Sequence, residues 1–265
     1  MPNDAFLELT THRLHYRIDA DTTNSSRPWL LFCNSLGTDL RMWDPQVVDL
    51  ARHFRVLRYD RRGHGESTTP PSPYSLADLG NDVLALLDAL NIQRTHFCGL
   101  SIGGLTGQWL AVHAGDRIDK AVFCATSAKI GTAEGWRARI AAVRANGLAA
   151  LTAATAERWF TPAFTAGHPD VTTKILEAFV KVDPEGYVGC CTALAGADLR
   201  AVIASISSPV LAISGDDDSV CPPSDLQYIA ETVPIGRHVS LPGRHIVNLE
   251  SAPAFNAALL EFLKS

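Results

Sequence analysis

A serine flanked by glycines is the first group in this chain equipped for chemistry. Gly99, Leu100, Ser101, Ile102 and Gly103 spell the pattern G-x-S-x-G, between an apolar run ending at Cys98 and a helical stretch reaching about His113. A tight strand-to-helix turn strains the serine backbone and lifts its hydroxyl above the carboxyl edge of a sheet. Side chains at the two glycines would collide with neighbouring backbone. The helix N-terminus favours negative charge at that point. A serine hydroxyl is a poor nucleophile at neutral pH and needs a general base. The chemistry indicated is nucleophilic catalysis by the serine hydroxyl.

Nine histidines compete for the role of base. His12 and His15 lie in an N-terminal strand region, His96 inside an apolar strand and His113 at a helix end, and all four read as satisfied structural groups. His64 occupies a turn after a strand but precedes the serine. His245 follows the last strand, in a loop that a doubly wound sheet brings to the same carboxyl edge as Ser101. It also completes the chain order serine, acid, histidine. The acid must accept the histidine Nδ1–H, fix the tautomer and stabilise the imidazolium. Asp216, Asp217 and Asp218 follow an apolar run directly. Three consecutive aspartates leave the choice open, and two of them read as a solvated turn.

The elements that position these groups follow from periodicity. Runs at 14–18, 29–33, 55–59, 95–98, 121–124, 210–214 and 238–241 predict strands, with a loop over 21–28. Helical spacing covers 43–53, 75–90, 101–113, 224–233 and 252–264. Ser75 can cap the second of these, with Asp78 three residues on and Leu76, Leu79, Val83, Leu86, Leu87 and Leu90 forming one apolar stripe. Repeated β-α-β units predict an α/β fold, a mostly parallel doubly wound sheet with helices on both faces. Residues 126–208 break the pattern. They are rich in alanine, with Trp136, Ile140 and Val143 on one helical face. They read as a helical insertion over a core formed by 1–125 and 209–265.

Composition narrows the partners. With 23 basic against 28 acidic residues and a net charge of −5, electrostatic attachment to nucleic acid or to a membrane surface is not expected. No apolar run approaches the ~20 residues of a membrane span. Met1 to Leu9 carry Asp4 and Glu8 and lack the pattern of a secretory signal. The six cysteines form no C-x-x-C pair and read as small buried hydrophobes in a reducing, cytoplasmic setting. No metal or organic cofactor is called for, and no phosphate-binding glycine loop is present.

The chain as a whole resembles the α/β-hydrolase superfamily, on the serine turn, on Tyr59 to Ser67, on Gly215 to Asp218 and on Gly243, Arg244 and His245. Within it the chain is similar to the 3-oxoadipate enol-lactonases of aromatic-compound degradation, in the β-ketoadipate pathway. That narrower likeness rests on Asn34, Ser35, Leu36, Gly37, Thr38 and Asp39, on Met42 to Gln46, Phe54 to Asp60, Phe97 to Ser101 and Leu105 to Trp109, and on Glu157 to Thr161. The resemblance implies an α/β-hydrolase fold with an inserted helical cap, and a triad of Ser101, Asp218 and His245. It implies that the Leu36 and Ile102 amides form the oxyanion hole. Two departures stand out: Ile102 where the lactonases usually have methionine, and Arg61 where threonine is common.

The activity implied is hydrolysis of a small enol-lactone that carries a separate carboxylate. Lys129, Arg137, Arg139, Arg144 and Arg158 are the cap cations from which a carboxylate partner can come. Arg137 is the choice, because Trp136 beside it resembles a cap aromatic facing the pocket; Trp159 is a second such aromatic. A general carboxylesterase or a carbon–carbon bond hydrolase uses the same scaffold. A non-catalytic receptor for a small molecule is disfavoured by the intact nucleophile, base and acid.

Overall fold

The structure is a computed structural model that describes residues 3–19 and 26–265. The first two residues, and most of the loop expected over 21–28, lie outside the described residues. Eight strands form one sheet: β1 (Asn3–Glu8), β2 (Arg13–Asp19), β3 (Trp29–Cys33), β4 (Arg55–Tyr59), β5 (Thr95–Leu100), β6 (Ile118–Cys124), β7 (Val210–Gly215) and β8 (Gly236–Leu241). Their spatial order is β1-β2-β4-β3-β5-β6-β7-β8. β1, β2 and β4 pair antiparallel, and every pairing from β4–β3 onward is parallel.

Parallel strands joined by helices are buried on both faces and read as continuous apolar runs. β3 (WLLFC) and β7 (VLAISG) do so, and all six residues of β5 are buried. β1 escapes the periodicity reading for a physical reason. It is an edge strand whose inward residues are Ala5 and Leu7, while the larger Phe6 faces out at 46% exposure. β5 also runs two residues past its expected end, because Gly99 and Leu100 still pair with Phe123 and Cys124 of β6.

The helices are α1 (Asp44–Leu50), α2 (Leu76–Ala89), α3 (Ile102–His113), α4 (Ala133–Asn146), α5 (Thr152–Trp159), α6 (Pro162–Gly167), α7 (Pro169–Lys181), α8 (Pro184–Gly196), α9 (Pro223–Thr232), α10 (Val247–Glu250) and α11 (Ala252–Lys264). The helix expected over 43–53 begins as a 3₁₀ turn at Leu40–Trp43 and continues as α1. α2 starts in a capping box between Ser75 and Asp78, and its stripe of Leu76, Leu79, Val83, Leu86 and Leu87 is buried. Each such leucine contributes about 1.5–3 kcal/mol on leaving water. α1 packs with α11, α2 with α3, and α3 lies against β5 and β6. α4 to α8 occupy the chain between β6 and β7, with α4 against α8. Among the described residues no helix is long and apolar enough to cross a membrane.

Register brings the chemistry to one edge. Cys33 pairs with Gly99, Leu100 with Cys124, Cys124 with Ile213 and Gly215 with Leu241. The loops after β3, β5, β7 and β8 therefore leave the sheet side by side. They carry Leu36, Ser101, Asp218 and His245.

Candidate active site

Ser101 sits between β5 and α3 with φ 59° and ψ −121°, a backbone region that costs a non-glycine residue roughly 1–3 kcal/mol. Surrounding contacts impose it. The Ser101 amide donates to the Cys124 carbonyl at 2.9 Å, and Thr126 Oγ1 donates to the Ser101 carbonyl at 2.7 Å. The flanking glycines are steric necessities. A Cβ on Gly99 would lie 2.4 Å from the Gly103 carbonyl oxygen, and one on Gly103 2.2 Å from the Cys33 oxygen.

His245 is buried, and its Nδ1 lies 2.9 Å from Asp218 Oδ2. Asp218 is buried too, and its Oδ1 accepts from the Val220 and Cys221 amides at 2.7 and 3.1 Å. Those bonds leave Oδ2 to the imidazole. With Nδ1 engaged there, Nε2 is the nitrogen left to face a substrate. Gly215 permits the approach of the two loops, since a Cβ there would lie 2.4 Å from the Arg244 carbonyl oxygen. Of the three aspartates that the sequence leaves open, Asp218 alone meets the imidazole. Asp217 is exposed and pairs with Arg244 at 2.7 Å, and Asp216 is exposed. Ser101 and His245 border one cavity but are not hydrogen-bonded to each other. Such contacts commonly tighten only in the substrate complex.

The Leu36 loop is rigidly held. Asn34 Nδ2 donates to the Tyr59 carbonyl at 2.9 Å, and Asn34 Oδ1 accepts from Trp43 Nε1 at 2.9 Å. The Ser35 carbonyl accepts from Thr38 Oγ1 at 3.0 Å. The Gly37 amide donates to His64 Nε2 at 3.0 Å. Within the described residues neither the Leu36 nor the Ile102 amide is taken up by a hydrogen bond. His64 thus buttresses this loop instead of facing the serine. Burial, and then the Arg61 charge, depress its pKa to about 3. Sequence reasoning missed this role; the signal available was a histidine in a turn that follows the strand beside β3.

The cavity over Ser101 has a volume of about 70 Å³. Trp136 and Arg139 of α4, Arg158 and Trp159 of α5 and Tyr187 of α8 line it. Both tryptophans singled out from the sequence border it. Arg137 does not. It stands 66% exposed on the outer face of α4 and pairs with Glu134 at 2.6 Å. The correction is one of helical phase: at 100° per residue Trp136 and Arg139, three apart, share a face that Arg137 leaves. Lys129 pairs with Asp198 at 3.1 Å, and Arg144 is exposed. Among the described residues neither Arg139 nor Arg158 pairs with a carboxylate. Burial and the adjacent Arg139 lower the pKa of Arg158. The two guanidiniums repel each other across a space suited to an anion.

The loop of His245 is also tied to the helices above it. Glu250 accepts from Thr161 Oγ1 at 2.6 Å and from the Arg244 amide at 2.9 Å. Arg244 Nη1 donates to the Glu157 carbonyl at 2.6 Å, and the Ile246 amide to the Trp159 carbonyl at 3.2 Å.

A larger cavity of about 410 Å³ lies between β1, the Asp39 loop and α7, away from Ser101 and His245. The cavity over Ser101 is thus the smaller of the two. Of the other histidines, His12 meets Asp82 at 3.2 Å, His15 bridges Asp60 and Asp4 at 2.7 and 3.1 Å, and His113 meets the Trp109 carbonyl at 2.9 Å. His96 departs from the expectation of a satisfied group, since its buried Nδ1 has no partner among the described residues. All six cysteines are buried and free. Among the described residues no cluster of three metal-ligating side chains occurs.

Residues 28–166 match the family model for the alpha/beta hydrolase fold. The chain is 44% identical over 240 residues to 3-oxoadipate enol-lactonase 2 of Acinetobacter baylyi, covering 91% of this chain and 90% of that protein. It is 41% identical over 238 residues to 3-oxoadipate enol-lactonase 1 of the same organism, covering 90% and 89%. The crystal structure of the enol-lactonase from Burkholderia xenovorans LB400 superposes with a TM-score of 0.96 at 44% identity, over 98% of this chain and 100% of that one.

Proposed function

The chain belongs to the alpha/beta hydrolase family, and from that premise we propose that it opens 3-oxoadipate enol-lactone to 3-oxoadipate. The observation that carries the lactone reading is the pair of unpaired arginines, Arg139 and Arg158, in the same cavity as Ser101 and His245. A neutral ester has no use for two half-buried cations without a carboxylate partner, whereas a lactone with a pendant carboxylate does. Trp136 and Trp159 form the walls that seat its ring. Residues 126–208 act as a cap over a core of 1–125 and 209–265.

Ser101 Oγ attacks the ring carbonyl while His245 Nε2 takes its proton. Asp218, bonded to Nδ1, fixes the tautomer and steadies the imidazolium. The carbonyl oxygen becomes an oxyanion and meets the Leu36 and Ile102 amides; losing one such donor costs about 3–4 kcal/mol in the barrier. Collapse breaks the ring C–O bond. The enolate leaves, takes up the proton held by His245 and becomes a ketone, still joined to Ser101 through its acyl end. An enolate leaves more readily than an ordinary alkoxide. Water, deprotonated by His245, then releases the acyl group, so that lactone plus water gives the keto diacid. No step calls on a metal or organic cofactor. The six free thiols fit a reducing compartment, the cytoplasm.

A substrate panel tests the reading: the enol-lactone, simple p-nitrophenyl esters and a meta-cleavage diketone, each with wild-type protein and Ser101→Ala. The lactone is expected to have the highest kcat/KM, and Ser101→Ala to abolish turnover. Equal turnover of simple esters with no preference for the lactone would end the narrow assignment.

A further inference from the structure

We infer that Arg61 is a positioning residue that charges the oxyanion hole from behind. Its buried guanidinium acts through the Ser35–Leu36 peptide to strengthen the Leu36 amide as an oxyanion donor. The inference rests on the reading of Ser101 as nucleophile and of Leu36 as a donor.

Arg61 is 2% exposed, at the end of β4 beneath the loop that follows β3. Nη2 donates to the Asn34 carbonyl at 2.6 Å and lies 3.5 Å from Cys33 Sγ. Nη1 donates to the Ser35 carbonyl at 3.4 Å. Nε is buried without a partner, and among the described residues no carboxylate lies within 4.0 Å of the guanidinium. Two titratable neighbours, Cys190 and Tyr59, supply no counter-charge either. Burial pushes the Cys190 thiol up to about 11 and the Tyr59 phenol well above its ordinary 10.0. A cation in the interior without an anion is costly.

Its place explains the arrangement. In a trans peptide the carbonyl and the amide point in opposite directions. A positive charge on the Ser35 oxygen therefore polarises the N–H of Leu36, a residue that borders the cavity. The loop does not need Arg61 for its shape. Thr38 Oγ1 already holds the Ser35 carbonyl at 3.0 Å, Trp43 and Tyr59 hold Asn34, and His64 holds Gly37. What Arg61 adds to those neutral partners is charge, and the missing counter-ion arrives when the substrate carbonyl becomes an oxyanion. The field reaches neighbouring groups, since the same guanidinium opposes protonation of His64. Arg61 bonds at 3.4 Å to one end of the peptide whose other end would hold the oxyanion, so with one peptide group and a second hydrogen bond between them the charges would be roughly 8 Å apart; at an effective dielectric of about 20 one charge is then worth about 30-fold in rate.

The test compares Arg61→Gln and Arg61→Lys with wild type, each checked for folding by thermal melting. The readings are kcat and KM on the enol-lactone, the inhibition constant of an alkylboronic acid, which forms a tetrahedral anion on Ser101, and that of the product keto acid. Arg61→Gln is expected to lower kcat and boronate affinity about 30-fold each, with KM and product affinity unchanged within about threefold. Arg61→Lys, which keeps the charge, is expected to stay within about fivefold of wild type on all four. The inference is overturned if Arg61→Gln stays within threefold, if the loss lies in KM, or if Arg61→Lys falls as far as Arg61→Gln. Should Arg61→Gln not fold, a folded Arg61→Lys that stays within about fivefold of wild type on all four supports the inference, and a larger loss overturns it. Failure of both to fold also overturns the inference, because Arg61 then serves the fold. Ser101→Ala separates the two layers of the argument: if it retains turnover, the nucleophile assignment fails whatever Arg61 does.

Discussion

Replacing His64 by glutamine should make the protein less sensitive to acid. In the native state the Gly37 amide can only donate, so Nε2 must be bare, and Nδ1 carries the proton 3.2 Å from the Arg62 carbonyl. Protonation would place an N–H against an N–H, in a buried site beside Arg61. Hence the native pKa of about 3 against about 6.5 in the unfolded chain. The sign follows from proton counting. Below pH 6.5 the unfolded chain binds a proton that the native protein refuses, so stability falls as pH falls. Between pH 7 and pH 5 the loss from this one residue is about 2 kcal/mol, and it reaches about 4 kcal/mol near pH 3. Urea unfolding followed by tryptophan fluorescence at pH 7 and pH 5, for wild type and His64→Gln, isolates it as a double difference in which the other histidines cancel. The opposing contribution of His15 is one of these. Burial works against its charge, yet its bonds to Asp60 and Asp4 raise its pKa, so its stabilisation persists below about pH 6.5 and fades as pH rises past the native value. A double difference under about 0.5 kcal/mol, or one of opposite sign, would refute the bare-nitrogen assignment.

Two further outcomes are expected. Asp218→Asn should lower kcat by about 10⁴-fold by presenting the wrong tautomer to Ser101, while Asp216→Asn and Asp217→Asn stay near wild type; steady-state kinetics of the three decides, and a reversal among them would displace the acid. Arg139→Met and Arg158→Met should each raise KM for the lactone by about 10- to 150-fold, the worth of one bond to a charged group. Neither should affect the methyl ester of its free carboxylate. Arg137→Met should leave both values unchanged, and an effect of Arg137→Met equal to theirs would argue for a carboxylate seat on the outer face of α4.

The sequence made the site more legible than the fold's margins. Ser101 announced itself because the G-x-S-x-G spacing reports contacts made by the residues' own backbone: Gly99 against Gly103, and Gly103 against Cys33. β3, β5 and β7 were readable because strands buried on both faces leave unbroken apolar runs. β1 was not, since a sheet edge needs only Ala5 and Leu7 to face inward. The phase of α4 decides between Arg137 and Arg139, and adjacency to a tryptophan cannot substitute for it. The choice among Asp216, Asp217 and Asp218 depends on where one loop meets another from a different strand. That information lies in the register between β7 and β8, not in three identical letters. The part played by His64 was hidden for the same reason, because its partner Gly37 is 27 positions away.

The bonds from Glu250 and Arg244 to Glu157, Phe160 and Thr161 bear on how anything enters. The end of α5 and the loop of His245 form one mechanical unit, anchored to the sheet through β8. A wide swing of the roof about that side would drag the imidazole away from Asp218 and disarm the enzyme with every admission. Entry on the opposite flank, beside α4 and α8, is the route that would leave these bonds intact, with Trp159 and Arg158 held in place beside Ser101. On that route one wall would be a standing template for the guest, and any yielding would fall to the other.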